Sequence, residues 1–470
     1  MTQDLLKFKQ DKVLVEGLSK EFSAEIEVPG DKSISHRAVM LGSIAGGNSL
    51  VYNLSISGDN LATVAAFRKL GVNIKKQNKK ENSVASKKDF IIEGVGFYGL
   101  KESKSVINTS NSGTLTRLIA GMLAGNDFFS VLSGDKYLNS RPMRRIIEPL
   151  RLMGAKISGR GGDSYPPLAV SGGGLQSVFY EVPVPSAQVK SCLMLAALYA
   201  EGDTVIYERK ATRDHTENLL KFQGYPVSVE DSSSGGSFIT VKGRHAAGLN
   251  SFEFRIPGDF SSAAFFIALC ILNKNSEITV KNIIINEKRT GLIKALKMMG
   301  ADVDMFIKDT SPETAGDIKV KYSDNIKGIN LPAEIVPDMI DEFPIFAVIA
   351  SFAEGKTTVA GAKELRVKES DRIKSIVYNL KAIGVDIEEL EDGFEINGNP
   401  DLKYSGKGLP NKSAPGNDIK ALNSFGDHRI AMSMVIAGLI LKNAKLEIKD
   451  INCINTSFPE FFETLNSIIK

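Results

Sequence analysis

The stretch of the sequence that most suggests chemistry is residues 28–38, Val-Pro-Gly-Asp-Lys-Ser-Ile-Ser-His-Arg-Ala. Pro29-Gly30 is a turn signal, and the apolar residues that follow predict a helix. Lys32 and Arg37 therefore fall, with two Ser hydroxyls, at a helix start, where unpaired N–H groups and the helix dipole already attract anions. Cations are unfavourable there unless an anion binds, so the stretch predicts a phosphate or carboxylate ligand. The alternative is an ordinary Ser-capped helix whose basic residues are solvated.

Further predicted helix starts along the chain carry groups of the same kind. Gly113 would let backbone N–H groups approach a ligand closely, and Arg141 suits bidentate recognition of a phosphate or carboxylate. Each start taken singly is also explained as a capped surface helix. Together they favour a substrate with several negative charges, and carboxylates among the cations suit proton transfer. The starts lie near Ser35, Ser112, Ser186, Ser261, Asp341 and Asp427.

Composition and spacing disfavour several other classes of protein. The chain has 470 residues, enough for two or more globular domains, and a net charge of +3, which argues against a nucleic-acid binder. The three cysteines form no CxxC pair and the four histidines no HxxxH pair, so neither a disulfide framework nor a metal site is expected. Walker A, GxGxxG and Ser-His-Asp patterns are not evident. Lacking a signal-peptide core and a membrane-length apolar run, the protein is predicted to be cytoplasmic, without a membrane partner.

Two patterns alternate along the chain and predict an α/β (α+β) fold built from repeats. The first is a helix that ends in an apolar-Gly step before a short strand-like run. The second is the polar helix start, and successive copies lie roughly 70–90 residues apart, which is longer than a helical solenoid period. Six α/β units in two sets of three are therefore expected. The glycines predicted to be left-handed helix caps are Gly71, Gly154, Gly224, Gly300 and Gly384.

A repeated tetrapeptide pattern indicates where the chain passes between the two sets. Val28-Pro-Gly-Asp31 recurs as Ile256-Pro-Gly-Asp259, each time before a Ser-rich helix start. One domain is therefore predicted to comprise residues 31–255, and the other residues 1–30 together with 256–470. The Gly/Ser/Asn/Lys-rich stretch at residues 397–417 is predicted to be a surface insertion without a core of its own.

With these motifs assembled, essentially the whole chain resembles the 5-enolpyruvylshikimate-3-phosphate synthase family. The resemblance implies two similar domains, each of three βαβαββ-type repeat units (an inside-out α/β barrel), with the active site in the cleft between them. It also implies transfer of the enolpyruvyl group of phosphoenolpyruvate to the 5-hydroxyl of shikimate 3-phosphate, a step of the shikimate pathway to chorismate, with no metal or organic cofactor. The segments that carry the resemblance are residues 28–37, 111–114, 140–143, 186–188, 213–217, 366–372 and 426–429.

The resemblance implies roles for individual residues. Asp341 would accept the proton of the attacking hydroxyl, and Glu369 would handle the proton at the phosphoenolpyruvate methylene, with Lys32 as its partner or rival. The implied contacts to shikimate 3-phosphate are Lys32, Ser33, Arg37, Ser186, Ala187, Gln188, Asp341 and Lys368. The implied contacts to phosphoenolpyruvate are Lys32, Gly113, Arg141, Gln188, Arg372 and Arg429. Binding of the inhibitor glyphosate is expected, since Gly113 matches the form that leaves room for it, and the family expectation is a monomer.

The chain departs from the family pattern at two places. Many relatives have Lys shortly before the C-terminal Phe458-Pro459, where this chain has Thr456-Ser457, so one phosphoenolpyruvate contact is left open. Ala187 stands where some relatives have a hydroxyl.

Two alternative functions are weighed against this one. The related enzyme that transfers enolpyruvyl to UDP-N-acetylglucosamine typically uses a loop Cys, which is not matched here. A non-catalytic, anion-binding paralogue is the other alternative. Against it stands the joint presence of Lys32, Asp341, Glu369 and Arg372.

Overall fold

The computed structural model describes residues 5–77, 89–233, 235–246, 248–403, 419–442 and 444–470. The chain divides into two compact units. The first unit consists of Pro29–Pro257 together with Thr310–Glu313. The second unit consists of Met1–Val28, Gly258–Asp309 and Thr314–Lys470. Most of the predicted insertion, at residues 404–417, lies outside the described residues.

Helices and strands alternate along the described residues. The helices are α1 (Lys32–Ser43), α2 (Gly58–Lys69), α3 (Gly113–Ala124), α4 (Arg144–Leu152), α5 (Arg160–Asp163), α6 (Ala187–Ala197), α7 (His215–Phe222), α8 (Phe260–Leu272), α9 (Gly291–Met298), α10 (Phe343–Ser351), α11 (Arg372–Ala382), α12 (His428–Ile440) and α13 (Phe461–Ile469). The strands are β1 (Leu6–Phe8), β2 (Lys12–Glu16), β3 (Ser23–Ile26), β4 (Gly46–Tyr52), β5 (Asn73–Lys76), β6 (Phe90–Val95), β7 (Ile107–Asn108), β8 (Phe129–Ser133), β9 (Lys156–Gly159), β10 (Tyr165–Ser171), β11 (Phe179–Val182), β12 (Thr204–Glu208), β13 (Val227–Asp231), β14 (Ser237–Val241), β15 (Glu253–Arg255), β16 (Glu277–Ile284), β17 (Val303–Asp309), β18 (Ala315–Lys321), β19 (Gly355–Val359), β20 (Asp386–Glu389), β21 (Phe394–Gly398), β22 (Lys420–Asn423) and β23 (Lys445–Lys449).

The described strands form six sheets, three in each unit, and the sheets share one pairing pattern. In β11-β12-β14-β13, for example, β11 runs parallel to β12, while β14 pairs antiparallel with both β12 and β13. The sheets β15-β4-β6-β5 and β7-β8-β10-β9 of the first unit repeat it, as do β22-β23-β2-β1 and β3-β16-β18-β17 of the second. In the remaining sheet, β19-β21-β20, an isolated parallel bridge from Asn330 to Thr358 takes the place of the parallel edge strand. The predicted α/β repeat architecture is confirmed.

Five helices end at the predicted glycines. Each glycine adopts a positive φ, between 78° and 95°, which is the left-handed conformation that glycine reaches without a steric penalty. The chain then enters strands β5, β9, β13, β17 and β20. This part of the sequence prediction is confirmed for Gly71, Gly154, Gly224, Gly300 and Gly384.

The polar helix starts belong to helices that are buried along most of their length. These are α1, α3 and α6 in the first unit and α8, α10 and α12 in the second. Their apolar side chains are removed from water in the core of their own unit, so the polar residues of the first turn are held in place. The side chains that cap these helices by accepting a backbone N–H are Asp31, Ser112, Ser186, Asp259 and Asp427. Among the described residues, no helix is long and apolar enough to cross a membrane.

Candidate active site

Arg37 is a buried and firmly oriented cation of the first unit. It lies on the second turn of α1 and is only 3% exposed. Its Nε donates to Thr216 Oγ1 at 2.7 Å, Nη2 to Ser191 Oγ at 2.7 Å and Nη1 to the Ser33 carbonyl oxygen at 2.9 Å. These acceptors are neutral, so they fix the guanidinium without cancelling its charge.

Neighbouring charges adjust the acidity of Arg37 without removing its proton at neutral pH. Burial lowers the pKa of Arg37 to about 10, and the charge of Arg213 adds to the lowering, whereas Glu217, Asp31 and Glu313 act in the opposite direction. The group therefore stays protonated under physiological conditions. A buried cation with a second Arg nearby is well suited to a phosphate dianion.

Lys32 is the first residue of α1 and lies beside an acidic partner. Asp31 caps the helix by accepting the Ile34 N–H at 2.9 Å, and the Lys32 ammonium pairs with the Asp59 carboxylate. The Lys32 side chain remains partly exposed, so its ammonium group can exchange part of this contact for a ligand anion.

His36 on α1 is a neutral side chain that contacts α2 and the start of α3. Burial, followed by the charges of Lys32 and Arg37, lowers the pKa of His36 well below its usual value of 6.5. Its Nδ1 lies 2.6 Å from Thr63 Oγ1 on α2, and its Nε2 lies 3.4 Å from the Oγ of Ser112, the residue that caps α3. The neutral imidazole therefore connects α1 to α2 and to the start of α3.

Three of the predicted phosphoenolpyruvate contacts meet around the start of α3. A Cβ added to Gly113 would lie 2.9 Å from Arg117 Nη1 and 3.0 Å from Arg141 Nη1, so two guanidinium groups close directly over this glycine. Gln188 accepts a hydrogen bond from Arg117 Nη1 and donates from Nε2 to Thr114 Oγ1 at 3.0 Å. A helix N-terminus flanked by two arginines is a favourable environment for an anion.

Ser186 and Ala187 begin α6 beside this group. The Ser186 hydroxyl accepts the Val189 N–H at 3.4 Å and caps the helix, and Ala187 is the first helical residue. Both residues, like Gln188, are only partly buried, so a ligand can reach them.

Arg372 donates hydrogen bonds to three carboxylates of the second unit. It is 1% exposed, and its Nε, Nη1 and Nη2 donate to Asp427, Asp341 and Glu369 at 2.8, 3.2 and 2.7 Å. Burial acts to lower the pKa of Arg372, but the charges of Asp427, Glu369 and Asp341 outweigh it and raise the pKa. The predicted hydroxyl base and the predicted methylene acid therefore bind two nitrogens of the same guanidinium.

Two further cations border these carboxylates. Arg429 Nη2 lies 3.7 Å from Asp341 and Nη1 lies 3.8 Å from Glu342, both too long for hydrogen bonds. Lys368 lies 3.9 Å from Glu364; burial lowers the pKa of Lys368, while Asp341 and Glu364 oppose the change. The Lys368 side chain is partly exposed and can turn towards a ligand, whereas Arg429 is largely buried.

The predicted site residues fall into two groups, one in each unit. The first unit contains Lys32, Ser33, Arg37, Gly113, Arg141, Ser186, Ala187 and Gln188. The second unit contains Asp341, Lys368, Glu369, Arg372 and Arg429.

Three side chains that hold the two central arginines, those of Thr216, Ser191 and Asp427, had no role predicted from the sequence. Thr216 lies in the polar segment 213–217 and Asp427 at a predicted helix start, so the sequence marked both positions without indicating their partners. Ser191 sits in the middle of the largely apolar helix α6, where only the structure shows that it accepts a hydrogen bond from Arg37.

Asp214, His215 and Glu313 are a group of metal-ligand type that the sequence spacing did not predict. Their ligand atoms lie within 4.8 Å of one another. His215 Nδ1 and Glu313 Oε1 are already joined at 2.8 Å, and both side chains are fully buried. This hydrogen bond accounts for the proximity of His215 and Glu313 without an ion.

Comparison with known proteins decides the family. The profile of EPSP synthase (3-phosphoshikimate 1-carboxyvinyltransferase) matches residues 18–465. The chain belongs to the EPSP synthase family. The 3-phosphoshikimate 1-carboxyvinyltransferase of Thermodesulfovibrio yellowstonii is 45% identical over 453 residues, covering 96% of this chain and 98% of the relative. That of Pelobacter propionicus is 45% identical over 442 residues, covering 94% and 95%.

Solved structures agree with this membership. The EPSP synthase of Acinetobacter baumannii superimposes with a TM-score of 0.80 at 40% identity and covers 97% of this chain and 98% of its own. The enolpyruvyl transferase NikO of Streptomyces tendae superimposes with a TM-score of 0.73 at 12% identity, over 97% of each chain, which is a likeness of fold alone. The predicted enolpyruvyl transferase fold is confirmed.

The resemblance seen in the motifs is therefore confirmed, and the reaction follows from family membership. The protein is a transferase that moves the enolpyruvyl group of phosphoenolpyruvate to the 5-hydroxyl of shikimate 3-phosphate and releases phosphate. It acts in the shikimate pathway to the aromatic amino acids. Transfer to UDP-N-acetylglucosamine and a non-catalytic role are not favoured.

Proposed function

We propose that the residues assigned from the motifs carry this reaction, with the cations of the first unit binding the 3-phosphate of the acceptor and the carboxylates of the second unit moving protons. The observation that best supports this division is that two buried arginines have hydrogen-bond partners of different charge. Arg37 donates to neutral oxygens, whereas Arg372 donates to Asp341, Glu369 and Asp427.

In this proposal, shikimate 3-phosphate is held chiefly through its phosphate. Lys32, Ser33 and Arg37 bind the phosphate oxygens. Arg37 contributes most because its own hydrogen-bond partners are neutral, whereas Lys32 shares its charge with Asp59. Ser186, Ala187 and Gln188 add contacts from the start of α6. Lys368 lies beside the ring of the substrate.

Phosphoenolpyruvate brings a phosphate and a carboxylate and needs several cations. Gly113, Gln188 and Arg141 bind it in the proposal, together with Lys32, Arg372 and Arg429. The two guanidinium groups lie close over Gly113, so an anion bound at this helix start would contact both. Thr456, which stands where many relatives have Lys, donates to the Cys453 carbonyl oxygen at 2.7 Å and supplies no positive charge.

The proposed proton transfers are divided between two carboxylates. Asp341 takes the proton of the 5-hydroxyl while the hydroxyl oxygen forms a bond to C2 of phosphoenolpyruvate. Glu369, with Lys32 as partner or rival, delivers a proton to the methylene carbon. The resulting tetrahedral intermediate then loses phosphate, and the same carbon returns a proton so that the methylene group is restored. Arg372, Arg429 and the first-unit cations stabilise the charges throughout.

The proposal also covers an inhibitor, the oligomeric state and the location of the protein in the cell. Glyphosate competes with phosphoenolpyruvate because it is a small anion that suits the cations around Gly113. The protein is a monomer and works in the cytoplasm. Glyphosate inhibition at varied phosphoenolpyruvate concentration, sedimentation equilibrium and cell fractionation test these statements.

The reaction itself is tested by phosphate release from phosphoenolpyruvate, with shikimate 3-phosphate or UDP-N-acetylglucosamine as acceptor in parallel. We expect release with shikimate 3-phosphate alone. Release only with the nucleotide sugar would change the substrate, and no release with either acceptor would restore the non-catalytic alternative.

A further inference from the structure

The first helix of each unit begins with the same arrangement of residues but different chemistry. Asp31 caps α1 and Asp259 caps α8, each after a Pro-Gly pair, and a Ser follows two residues later, Ser33 in one and Ser261 in the other. The residue between them is Lys32 in α1 and Phe260 in α8. The start of α8 therefore keeps the capping acid and the hydroxyl but lacks the cation.

At the start of α8 the anion comes from the protein itself. The Ser261 hydroxyl donates to Glu342 Oε1, and Arg289 Nη1 lies 3.3 Å from the same oxygen. Arg289 also donates from Nη2 to Asp259 Oδ1 at 2.9 Å and to Ser261 Oγ at 3.0 Å. Glu342 thus occupies, relative to α8, the place that we assign to the ligand phosphate at α1.

Glu342 pairs with Arg289 and Ser261 through Oε1, but it does not cap its own helix. It is the N-cap residue of α10, yet its side chain makes no capping hydrogen bond to that helix. The side chain is fully buried, and within the described residues its Oε2 makes no hydrogen bond. A buried carboxylate with unused acceptor capacity is costly unless a neighbouring cation benefits from it.

Besides Arg289, a second cation lies near Glu342, namely Arg429. Its Nη1 lies 3.8 Å from Glu342 Oε1, and its Nη2 lies 3.7 Å from Asp341 Oδ2. Because both contacts are longer than hydrogen bonds, the guanidinium is balanced between two carboxylates and attached firmly to neither. Loss of the negative charge of Glu342 would leave Asp341 as the nearer attraction for Arg429.

We propose that Glu342 is a positioning residue, an internal anion seated at the start of α8 that keeps Arg429 available for phosphoenolpyruvate and away from a tight pair with Asp341. The inference rests on the proposed roles of Arg429 and Asp341. Glu342 itself does not touch substrate. It acts through Arg429, with Ser261 and Arg289 fixing its own position.

The test is Glu342→Ala, assayed for kcat and for the KM of each substrate, with and without added acetate. We expect the KM for phosphoenolpyruvate to rise about tenfold and the KM for shikimate 3-phosphate to change less than about threefold. Acetate should restore most of the loss by occupying the place of the missing carboxylate, whereas sodium chloride at the same ionic strength should not. Equal rises in both KM values without acetate rescue, or no change, would overturn the proposal.

Two further variants separate this inference from a general loss of stability. Glu342→Gln keeps the shape of the side chain and an acceptor for Ser261, so this variant should fold. We expect the KM for phosphoenolpyruvate alone to rise, and by less than in Glu342→Ala. An unchanged KM would count against a role for the charge of Glu342. Asp317→Ala is the matched control, because Asp317 is a buried carboxylate of the same unit that pairs with Lys281 and Lys308. It should lower the thermal unfolding midpoint without a selective effect on phosphoenolpyruvate.

Arg429→Ala distinguishes failure of this inference from failure of the proposed function. If Arg429→Ala leaves the KM for phosphoenolpyruvate unchanged, the proposed role of Arg429 is wrong. If Arg429→Ala raises it and neither Glu342 variant does, the proposed function stands and the inference about Glu342 fails.

Discussion

Arg37 and Arg372 are both buried, and each lies near the start of a helix, α1 and α11 respectively. Their hydrogen-bond partners, however, differ in charge. Arg37 is oriented by two hydroxyls and a carbonyl oxygen, and Arg372 by three carboxylates. Neutral partners leave a positive charge for an incoming anion. Carboxylate partners cancel that charge, and the arginine instead holds acids and bases at fixed positions. In the proposal above, Arg37 therefore binds the phosphate of the acceptor, whereas Arg372 holds Asp341 and Glu369 in place and contacts phosphoenolpyruvate.

The start of α8 shows how such a difference arises from similar sequences. At α1 the Asp-Lys-Ser sequence adds a cation to the helix N-terminus, whereas Asp-Phe-Ser at α8 does not. The second unit then fills the corresponding place with Glu342, a carboxylate of its own chain. In the proposal, the helix start with Lys32 binds an external anion, whereas the start with Phe260 is occupied by Glu342 of the same chain.

The largest expected effect is on catalysis by the carboxylates of the second unit. Glu369→Gln should lower kcat by about 10²–10⁴-fold, the range for a lost general acid–base group, and change shikimate 3-phosphate binding less than about threefold. Steady-state kinetics and direct binding measurements check this. Glu364→Gln, which alters another acid beside the same Lys368, is the control and should keep most of the activity. Equal losses of turnover and binding in Glu369→Gln would count against a proton-transfer role.

The next effect is on stability, where the two arginines should differ. Arg372→Met leaves three acidic groups without their shared cation, and we expect the free energy of unfolding to fall by about 3–5 kcal/mol. Arg37→Met leaves only neutral oxygens behind, so about 1–3 kcal/mol is expected. Urea denaturation of both variants provides the comparison. A larger loss in Arg37→Met would contradict the account of how the two cations are held.

A smaller effect is expected from the hydroxyls that orient Arg37. Thr216→Val keeps the shape of the side chain and removes the acceptor for Nε, and Ser191→Ala removes the acceptor for Nη2. Each should cost about 1 kcal/mol of shikimate 3-phosphate binding, or about fivefold in Kd. Isothermal titration gives the Kd, and Thr240→Val on β14 is a control. An unchanged Kd in both variants would show that these hydroxyls do not determine the position of Arg37.

The smallest expected effect is a pH dependence of stability at His36. The pKa of His36 is depressed in the folded state, so below pH 6.5 the unfolded chain binds a proton that the folded chain does not. The free energy of unfolding therefore decreases as the pH is lowered. The wild type should lose up to about 1.4 kcal/mol per pH unit between pH 6.5 and 5.5 relative to His36→Gln. Denaturation series at both pH values measure this difference. A pH-independent difference for His36→Gln would exclude a depressed pKa of His36.

Repetition made most of the fold predictable from the sequence. The glycine helix caps and the polar helix starts recur because each repeat must end one buried helix and begin another, and both signals are local. The start of α4 is an exception: Pro142, a residue type common at the first helical position, lies outside the helix, which begins at Arg144 with Met143 as its N-cap residue. Local signals do not fix the first residue of a helix when the preceding turn competes for it.

The candidate site was predictable in its residues but not in its partners. Arg37, Asp341 and Arg372 stand in recognisable motifs, whereas the contacts of Arg37 with Ser191 and Thr216 join positions far apart in the sequence. Whether an arginine meets a hydroxyl or a carboxylate depends on tertiary packing, which one sequence does not show. That difference separates the two units, and it appears only in the structure.

The most direct test of the division between the units is shikimate 3-phosphate binding, measured without phosphoenolpyruvate, to Arg37→Ala and Arg429→Ala. Both variants remove one arginine, but Arg37 has neutral partners and Arg429 lies between two carboxylates. We predict that Arg37→Ala raises the Kd at least about tenfold and that Arg429→Ala changes it less than about threefold. Equal weakening by the two variants would contradict the account.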